Sequence, residues 1–276
     1  MRSFHKLVVL FFHIFLWFNN VAEADKGKPN LDKYHPGSGR LGVELDYELA
    51  KAGAEDMIAG KPASKGKMQS RLIFISHLTG VGRVEDDELA QIAMDGYLEM
   101  VQNANLYKIN KADFPSVMTA FYYGNEIILA SSQKGGTAIT YTRDNAVSRL
   151  VEQCITPATK SNEAKCGEMS AAQLWQRLHP GQLISTAHIV TVTVISGNKN
   201  NALSSKPADL KVWPPCSPTN GGGCAEIVGP GKVVDREVLP ESWTGPVTYS
   251  TTGWVKTDMQ VLSFVSPVQQ QTTGQT

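Results

Sequence analysis

Four side chains in the second half of this 276-residue chain have types and spacing suited to metal chemistry. Cys166 and Glu168 are separated by one residue, and Cys216 and Cys224 follow about fifty residues later. Three thiolates can hold a zinc ion and leave the fourth tetrahedral position for a water molecule. A carboxylate beside the metal can then move a proton. This pattern indicates one candidate site, with Glu168 as the acid/base and the three cysteines as ligands.

The element that positions the first pair is a predicted helix. Residues 168–179 carry apolar side chains at helical spacing, and Pro180 stops the pattern. Cys166 and Glu168 therefore fall at the N-terminus of this helix. Free N–H groups and the helix dipole favour a thiolate over a thiol at that position.

The first 24 residues predict export from the cell. A basic start precedes the mostly apolar run Leu7–Phe18, and an Ala-x-Ala site ends at Ala24. These features are typical of a secretory signal peptide, and the apolar run is too short to cross a bilayer as a helix. The polar tail at 267–276 carries no lipid-anchor signal. We therefore expect a secreted, extracellular product with no membrane partner.

Composition narrows the classes of function only a little. The chain has 26 Lys and Arg against 26 Asp and Glu, and 42% of its residues are hydrophobic. A balanced charge argues against binding nucleic acid through a global electrostatic field, although a local basic patch stays compatible with it. The hydrophobic content suffices for a packed core and excludes a wholly disordered chain.

The composition and hydrophobic pattern of the mature chain divide it into an extension and a domain. Residues 25–70 are rich in Lys, Gly, Pro and Ala and predict an irregular or partly disordered extension, although 41–58 has a modest helical pattern. Residues 71–266 predict one α/β domain, a mixed sheet flanked by helices. Its predicted elements are a strand at 72–75, a helix at 85–103, a hairpin of 118–123 and 126–131, a helix at 168–179, a strand at 183–195, and β-prone stretches near 246–250 and 258–265.

The cysteine pattern resembles that of a known superfamily. Cys166-Gly167-Glu168, followed by Pro215-Cys216 and Cys224, resembles the signature of the zinc-dependent nucleobase and nucleoside deaminases, although seven residues separate the last two cysteines where two are usual. The helix, hairpin, helix, strand order is also similar to that superfamily's core. The resemblance covers about 84–265 and implies a cytidine-deaminase-like fold.

The resemblance also implies a mechanism and a substrate class. Cys166, Cys216 and Cys224 would hold zinc, and Glu168 would be the general acid/base that activates the zinc-bound water. The product would then be a secreted hydrolytic deaminase or toxin. Its substrate would be a small nucleobase-containing molecule or a nucleic acid.

The same cysteines also allow a structural role. An exported protein meets an oxidising environment, where four cysteines form two disulfides in one of three connectivities. Pairing by proximity gives Cys154–Cys166 and Cys216–Cys224, and this excludes Cys166 as a zinc ligand. The protein would then be a disulfide-stapled, non-catalytic effector with an unknown protein partner. The two alternatives combine if a deaminase-like fold has lost its metal site to disulfides and binds rather than catalyses.

Overall fold

The structure is a computed structural model and describes residues 29–58, 71–135, 165–182, 184, 187–195, 209–213 and 246–260. The predicted signal peptide and the polar tail lie outside these residues. Cys154, Cys216 and Cys224 lie outside them as well. None of the helices within the described ranges is long and apolar enough to cross a membrane.

The described strands form one antiparallel sheet. In chain order they are β1 Glu44–Leu45, β2 Phe74–Thr79, β3 Val117–Tyr123, β4 Glu126–Ser131, β5 His188–Val194, β6 Leu210–Val212 and β7 Val255–Thr257. The spatial order is β1-β2-β4-β3-β5-β6. β1 pairs with the start of β2 and β7 pairs with its end, so the two short strands share the same edge of β2.

Three helices accompany the sheet. They are α1 Tyr47–Ile58, α2 Asp86–Leu106 and α3 Gly167–Leu178, and a 3-10 turn lies at Lys111–Asp113. The helices predicted at 85–103 and 168–179 are confirmed within a few residues. The hairpin is confirmed too, with Gly124 at a φ of 62° in its two-residue loop. A positive φ suits the glycine that the hairpin prediction placed there.

The connections explain why α2 and α3 lie on opposite faces of the sheet. The α2 crossover joins β2 to β3 and skips over β4, and the α3 crossover joins β4 to β5 and skips over β3. Both crossovers advance in the same direction across the sheet, but they start from strands that run in opposite directions. If each crossover is right-handed, as the general rule requires, the two helices must cover opposite faces.

α2 covers the first face with an apolar stripe. Its first turn carries three acidic residues, which suit the positive end of the helix dipole, and Glu88 accepts a hydrogen bond from the Glu85 N–H at 3.0 Å. The stripe packs against alternate residues of the central strands, including Met118, Leu129 and Val192. The main core of the protein therefore lies between α2 and the sheet.

α3 covers the second face. Trp175, near the C-terminal end of its buried side, packs in one cluster with Phe121 and Ile128 of the hairpin and with Ile189 of β5. These strand residues alternate with those that face α2, as the two-residue period of a strand requires. Ten consecutive residues of α3 are buried, from Gly167 to Gln176, so the helix is enclosed along most of its length.

Two features of the predicted fold are corrected. The sheet is not mixed, because every described pairing is antiparallel. Each crossover joins two parallel strands but skips the strand between them, and each of the two pairs with that skipped strand in the antiparallel direction. The predicted irregular extension also contributes to the core. Residues 44–45 form β1, and Leu41, Val43 and Leu49 are fully or almost fully buried.

The second half of the domain also differs in detail. The strand predicted at 183–195 begins at His188, and the stretch 246–250 is not a strand. The pairing with β2 is made by Val255–Thr257 instead. The described part of the stretch 258–265 is likewise not a strand.

Candidate functional site

The predicted metal ligand Cys166 lies at the N-terminus of α3. It is the N-cap residue, with extended backbone angles, and its carbonyl oxygen accepts a hydrogen bond from the Ser170 N–H at 3.1 Å. Its sulfur is in a disulfide, and the cysteine that it pairs with lies outside the described residues. A disulfide sulfur has no thiolate charge, so in this state Cys166 does not fit the role of a zinc ligand.

The predicted acid/base Glu168 lies in the first turn of the same helix and points at the sheet. It is 4% exposed. The Thr191 hydroxyl on β5 donates a hydrogen bond to its Oε1 at 2.8 Å. Thr191 lies opposite Thr119 of β3, and the two hydroxyl oxygens are 2.9 Å apart. The carboxylate is thus held by a pair of threonine hydroxyls beneath the helix.

Gly167 allows α3 to approach the sheet this closely. A Cβ on Gly167 would lie 2.5 Å from the Thr119 hydroxyl oxygen and 2.9 Å from the carbonyl oxygen of Ala130. Real Cβ atoms do not come so close to other atoms, and a backbone carbonyl within a sheet cannot move aside easily. The glycine between the two predicted functional residues therefore has a packing role.

The other predicted ligands, Cys216 and Cys224, lie outside the described residues, and so does Cys154. The arrangement of a zinc site and the two predicted disulfide pairings stay predictions. Among the residues that the structure describes, no group of three or more His, Cys, Asp or Glu side chains is placed to hold a metal ion.

A second group of polar residues lies at the C-terminal end of α3. His77 of β2 and His179, directly after α3, each place Nε2 at 2.9 Å from the same oxygen, Oε2 of Glu126 on β4. We call these three residues the His–Glu cluster. An ionised carboxylate only accepts hydrogen bonds, so both imidazoles donate through Nε2. The cluster therefore joins two strands to the end of the helix that covers them.

Burial differs within the His–Glu cluster. The side chain of His77 is 5% exposed, whereas those of His179 and Glu126 are 24% and 23% exposed. The other ring nitrogen of His77, Nδ1, is buried and has no hydrogen-bond partner within the described part of the chain. A neutral imidazole leaves only a lone pair at that position. A protonated imidazole would leave a buried N–H without an acceptor, which is costly.

Burial and hydrogen bonding shift the pKa values of His77 and Glu126. Burial lowers the pKa of His77 below its ordinary 6.5, and the hydrogen bond that His77 donates to Glu126 opposes this shift without cancelling it. For Glu126, burial alone would raise the pKa. The hydrogen bonds from His179 and His77 outweigh it, and the pKa of Glu126 falls below 4.5. Near neutral pH the cluster thus holds an ionised carboxylate and a neutral His77.

Aromatic rings enclose the helix side of the cluster. The rings of Trp175 and His179 are 4.7 Å apart, and that of Tyr123 meets Trp175 edge-on at 4.9 Å. Trp175 is 2% exposed. The cluster therefore lies between an apolar interior and solvent.

Sequence reasoning did not identify the His–Glu cluster. Its residues are dispersed along the chain, and no motif or regular spacing connects them. One local signal was present: His77 is a polar residue within an apolar run, at a position that alternation assigns to the same face as Ile75.

Comparison with known proteins leaves the family open. No protein-family model matches the chain, and no curated protein and no solved structure gives a significant match.

Proposed function

We propose that the protein is an exported, disulfide-stapled interaction protein built on a single α/β domain, acting on a protein partner as an effector. The observation that carries the proposal is the disulfide at Cys166. Disulfides persist in oxidising compartments, so this bond is consistent with the export that residues 1–24 predict.

The environment of Glu168 supports the same proposal. A general acid/base must reach the proton that it transfers, directly or through one water molecule. The carboxylate of Glu168 is instead buried beneath α3 and hydrogen-bonded to Thr191. In this position it fixes the start of the helix on the sheet. We therefore assign Glu168 a structural role.

A zinc-dependent hydrolytic deaminase with a cytidine-deaminase-like core is the alternative. The order helix, hairpin, helix, strand favours it, and so does the location of Cys166 and Glu168 in the first turn of α3. The oxidised state of Cys166 speaks against it, because a disulfide sulfur does not ligate zinc as a thiolate does. We derive no catalytic step through zinc for this reason.

Non-reducing peptide mapping of the purified, secreted protein, together with metal analysis, tests the proposal. We expect the peptide that contains Cys166 to be linked to another cysteine peptide, and zinc to be well below one equivalent per chain. Mapping also identifies the cysteine that is linked to Cys166 and so checks the predicted Cys154–Cys166 pairing. N-terminal sequencing of the same sample should begin at Asp25 if the signal peptide is cleaved after Ala24.

A different result would favour the enzyme. If Cys166 is alkylated without prior reduction and the protein carries about one zinc per chain, the interaction proposal is wrong and the metal site is real. In that case Glu168→Gln should abolish turnover of a nucleobase substrate and leave the zinc content unchanged, because the glutamate would act on the bound water without ligating the metal.

A further inference from the structure

We propose that the His–Glu cluster is an acid-sensitive contact that holds the C-terminal end of α3 on the sheet at neutral pH and releases it under mildly acidic conditions. The inference is independent of the proposed function, since it concerns residues that take no part in the disulfide. It rests on the convergence of two histidines on one carboxylate, and on the buried, unpartnered Nδ1 of His77.

The geometry makes the cluster a polar attachment of this end of the helix. His179 follows the last residue of α3, and its backbone N–H is bonded to the carbonyl oxygen of Trp175. Its side chain reaches Glu126 on β4, which also accepts from His77 on β2. A change of charge at any of the three residues therefore acts on the contact between helix and sheet.

The charged groups that act on His77 come from two neighbouring elements. Glu126 of β4 favours its protonation, and His179 after α3 disfavours it. β7 places the uncharged Thr257 opposite His77 in the register of β2. On β3, the residue opposite Glu126 is Tyr123. Between pH 5 and pH 7, the response of the contact therefore depends on His77, Glu126 and His179.

The direction of the pH effect follows from proton linkage. In the closed state His77 has a lowered pKa, whereas a released and hydrated His77 regains a value near 6.5. The open state thus binds more protons between these two values, and acidification below pH 6.5 favours it. Glu126 acts in the same direction at lower pH, because its stabilising charge is lost as pH falls below 4.5 and through its lowered pKa.

Release at this end would leave the other end of α3 attached. Cys166 is held by its disulfide and Glu168 by Thr191, so only the second half of the helix is free to move. The side chains that would be uncovered include Trp175 and its partners Phe121 and Ile128, which are apolar and buried at neutral pH. Acid would thereby expose an apolar surface on a domain that is otherwise folded.

Hydrogen exchange between pH 7.5 and pH 5 tests the inference on the full secreted chain. We expect the protection factors of the amides at 174–178, corrected for the intrinsic exchange rate, to fall below pH 6.5 by up to about tenfold per pH unit, as one linked proton requires. The amides of α2 at 92–104 should keep their protection. Simultaneous loss of protection in α2 would indicate global unfolding and overturn the proposal.

His77→Gln identifies the responsible group. Glutamine retains an N–H that can donate to Glu126 but has no titrating nitrogen, so the loss of protection above pH 5 should disappear. His188→Gln is the matched control, because His188 is a half-exposed histidine bonded to Asp86 at 3.1 Å on another part of the domain. It should leave the pH response unchanged. An identical response in wild type and His77→Gln would overturn the proposal.

A direct titration keeps the test decisive if His77→Gln does not fold. The pKa of His77 in the wild-type protein is measured from the pH dependence of its ring resonances by NMR. A value below 6.5 supports the inference. A value of 6.5 or above overturns it, because the closed state would then bind as many protons as the open state or more.

Discussion

The two ends of α3 are attached to the same face of the sheet in different ways. They are separated by roughly 18 Å, the length of the 12 residues of α3. At the N-terminal end the attachments include a disulfide at Cys166 and the buried carboxylate of Glu168, which accepts a hydrogen bond from the Thr191 hydroxyl. At the C-terminal end the attachments include a partly exposed carboxylate bonded to two imidazoles.

The two ends of α3 should respond to different changes in the solution. A carboxylate occurs at both ends, but only the N-terminal end has a disulfide, which reductant breaks, and only the C-terminal end has imidazoles, whose ordinary pKa lies near 6.5. The N-terminal attachment should therefore respond to reductant and the C-terminal attachment to protons. One helix can then be fixed at one end and released at the other, which a helix with equivalent attachments at both ends cannot do.

The largest expected effect is that of Cys166→Ser. Removing the disulfide relaxes a constraint on the unfolded chain, and we expect the free energy of unfolding to fall by about 2–4 kcal/mol. Urea denaturation at pH 7.5, compared with wild type, measures this loss. Reductant should lower the stability of the wild type by at least as much. If Cys166→Ser unfolds at the wild-type urea concentration, the N-terminal end of α3 does not depend on its covalent attachment.

Gly167→Ala tests the close contact between α3 and the sheet. The new Cβ would meet the carbonyl oxygen of Ala130 and the hydroxyl of Thr119, so we expect a loss of about 1–3 kcal/mol from overpacking. Gly96→Ala in α2 is the matched control. Its Cβ would lie 3.1 Å from a flexible Leu129 methyl group, and alanine gains about 1 kcal/mol of helix propensity there.

The two glycine variants should therefore separate in urea denaturation at pH 7.5. Gly96→Ala is expected to stay near the wild-type stability, and Gly167→Ala to fall clearly below it. Equal losses in the two variants would mean that the N-terminal end of α3 packs no more tightly than α2, and the contrast between the ends of α3 would rest on the disulfide alone.

The sequence predicted what local pattern determines and missed what packing determines. The 3.6-residue stripe of α2 and the Gly124-Asn125 loop fix their elements through neighbouring residues, and the bounds of both elements were predicted to within three residues. The antiparallel order was not predictable, because it depends on which strand each crossover skips. For the same reason residues 41–50 resembled an extension, although they complete an edge of the sheet and its core.

The candidate site was also predictable only in part. The position of Glu168 in the first turn of a helix followed from the pattern, but its burial under Thr191 depends on the register of β3 and β5. The His–Glu cluster combines residues 49 and 53 positions apart, His77 with Glu126 and Glu126 with His179. No spacing rule connects such residues. They meet because Glu126 is the first residue of β4, and β4 pairs with β2 as the strand that the α2 crossover skips.

The smallest expected effect, that of His179→Gln at pH 7.5, completes the comparison. Glutamine can still donate to Glu126, and the site is partly solvated, so we expect the free energy of unfolding to fall by less than about 1 kcal/mol. Urea denaturation beside Gly167→Ala gives the ranking directly. A loss as large as that of Gly167→Ala would show that both ends of α3 are equally rigid at neutral pH. The small loss that we expect would instead mean that a hydrogen-bond donor to Glu126 is enough at neutral pH and that the imidazole of His179 is not itself required.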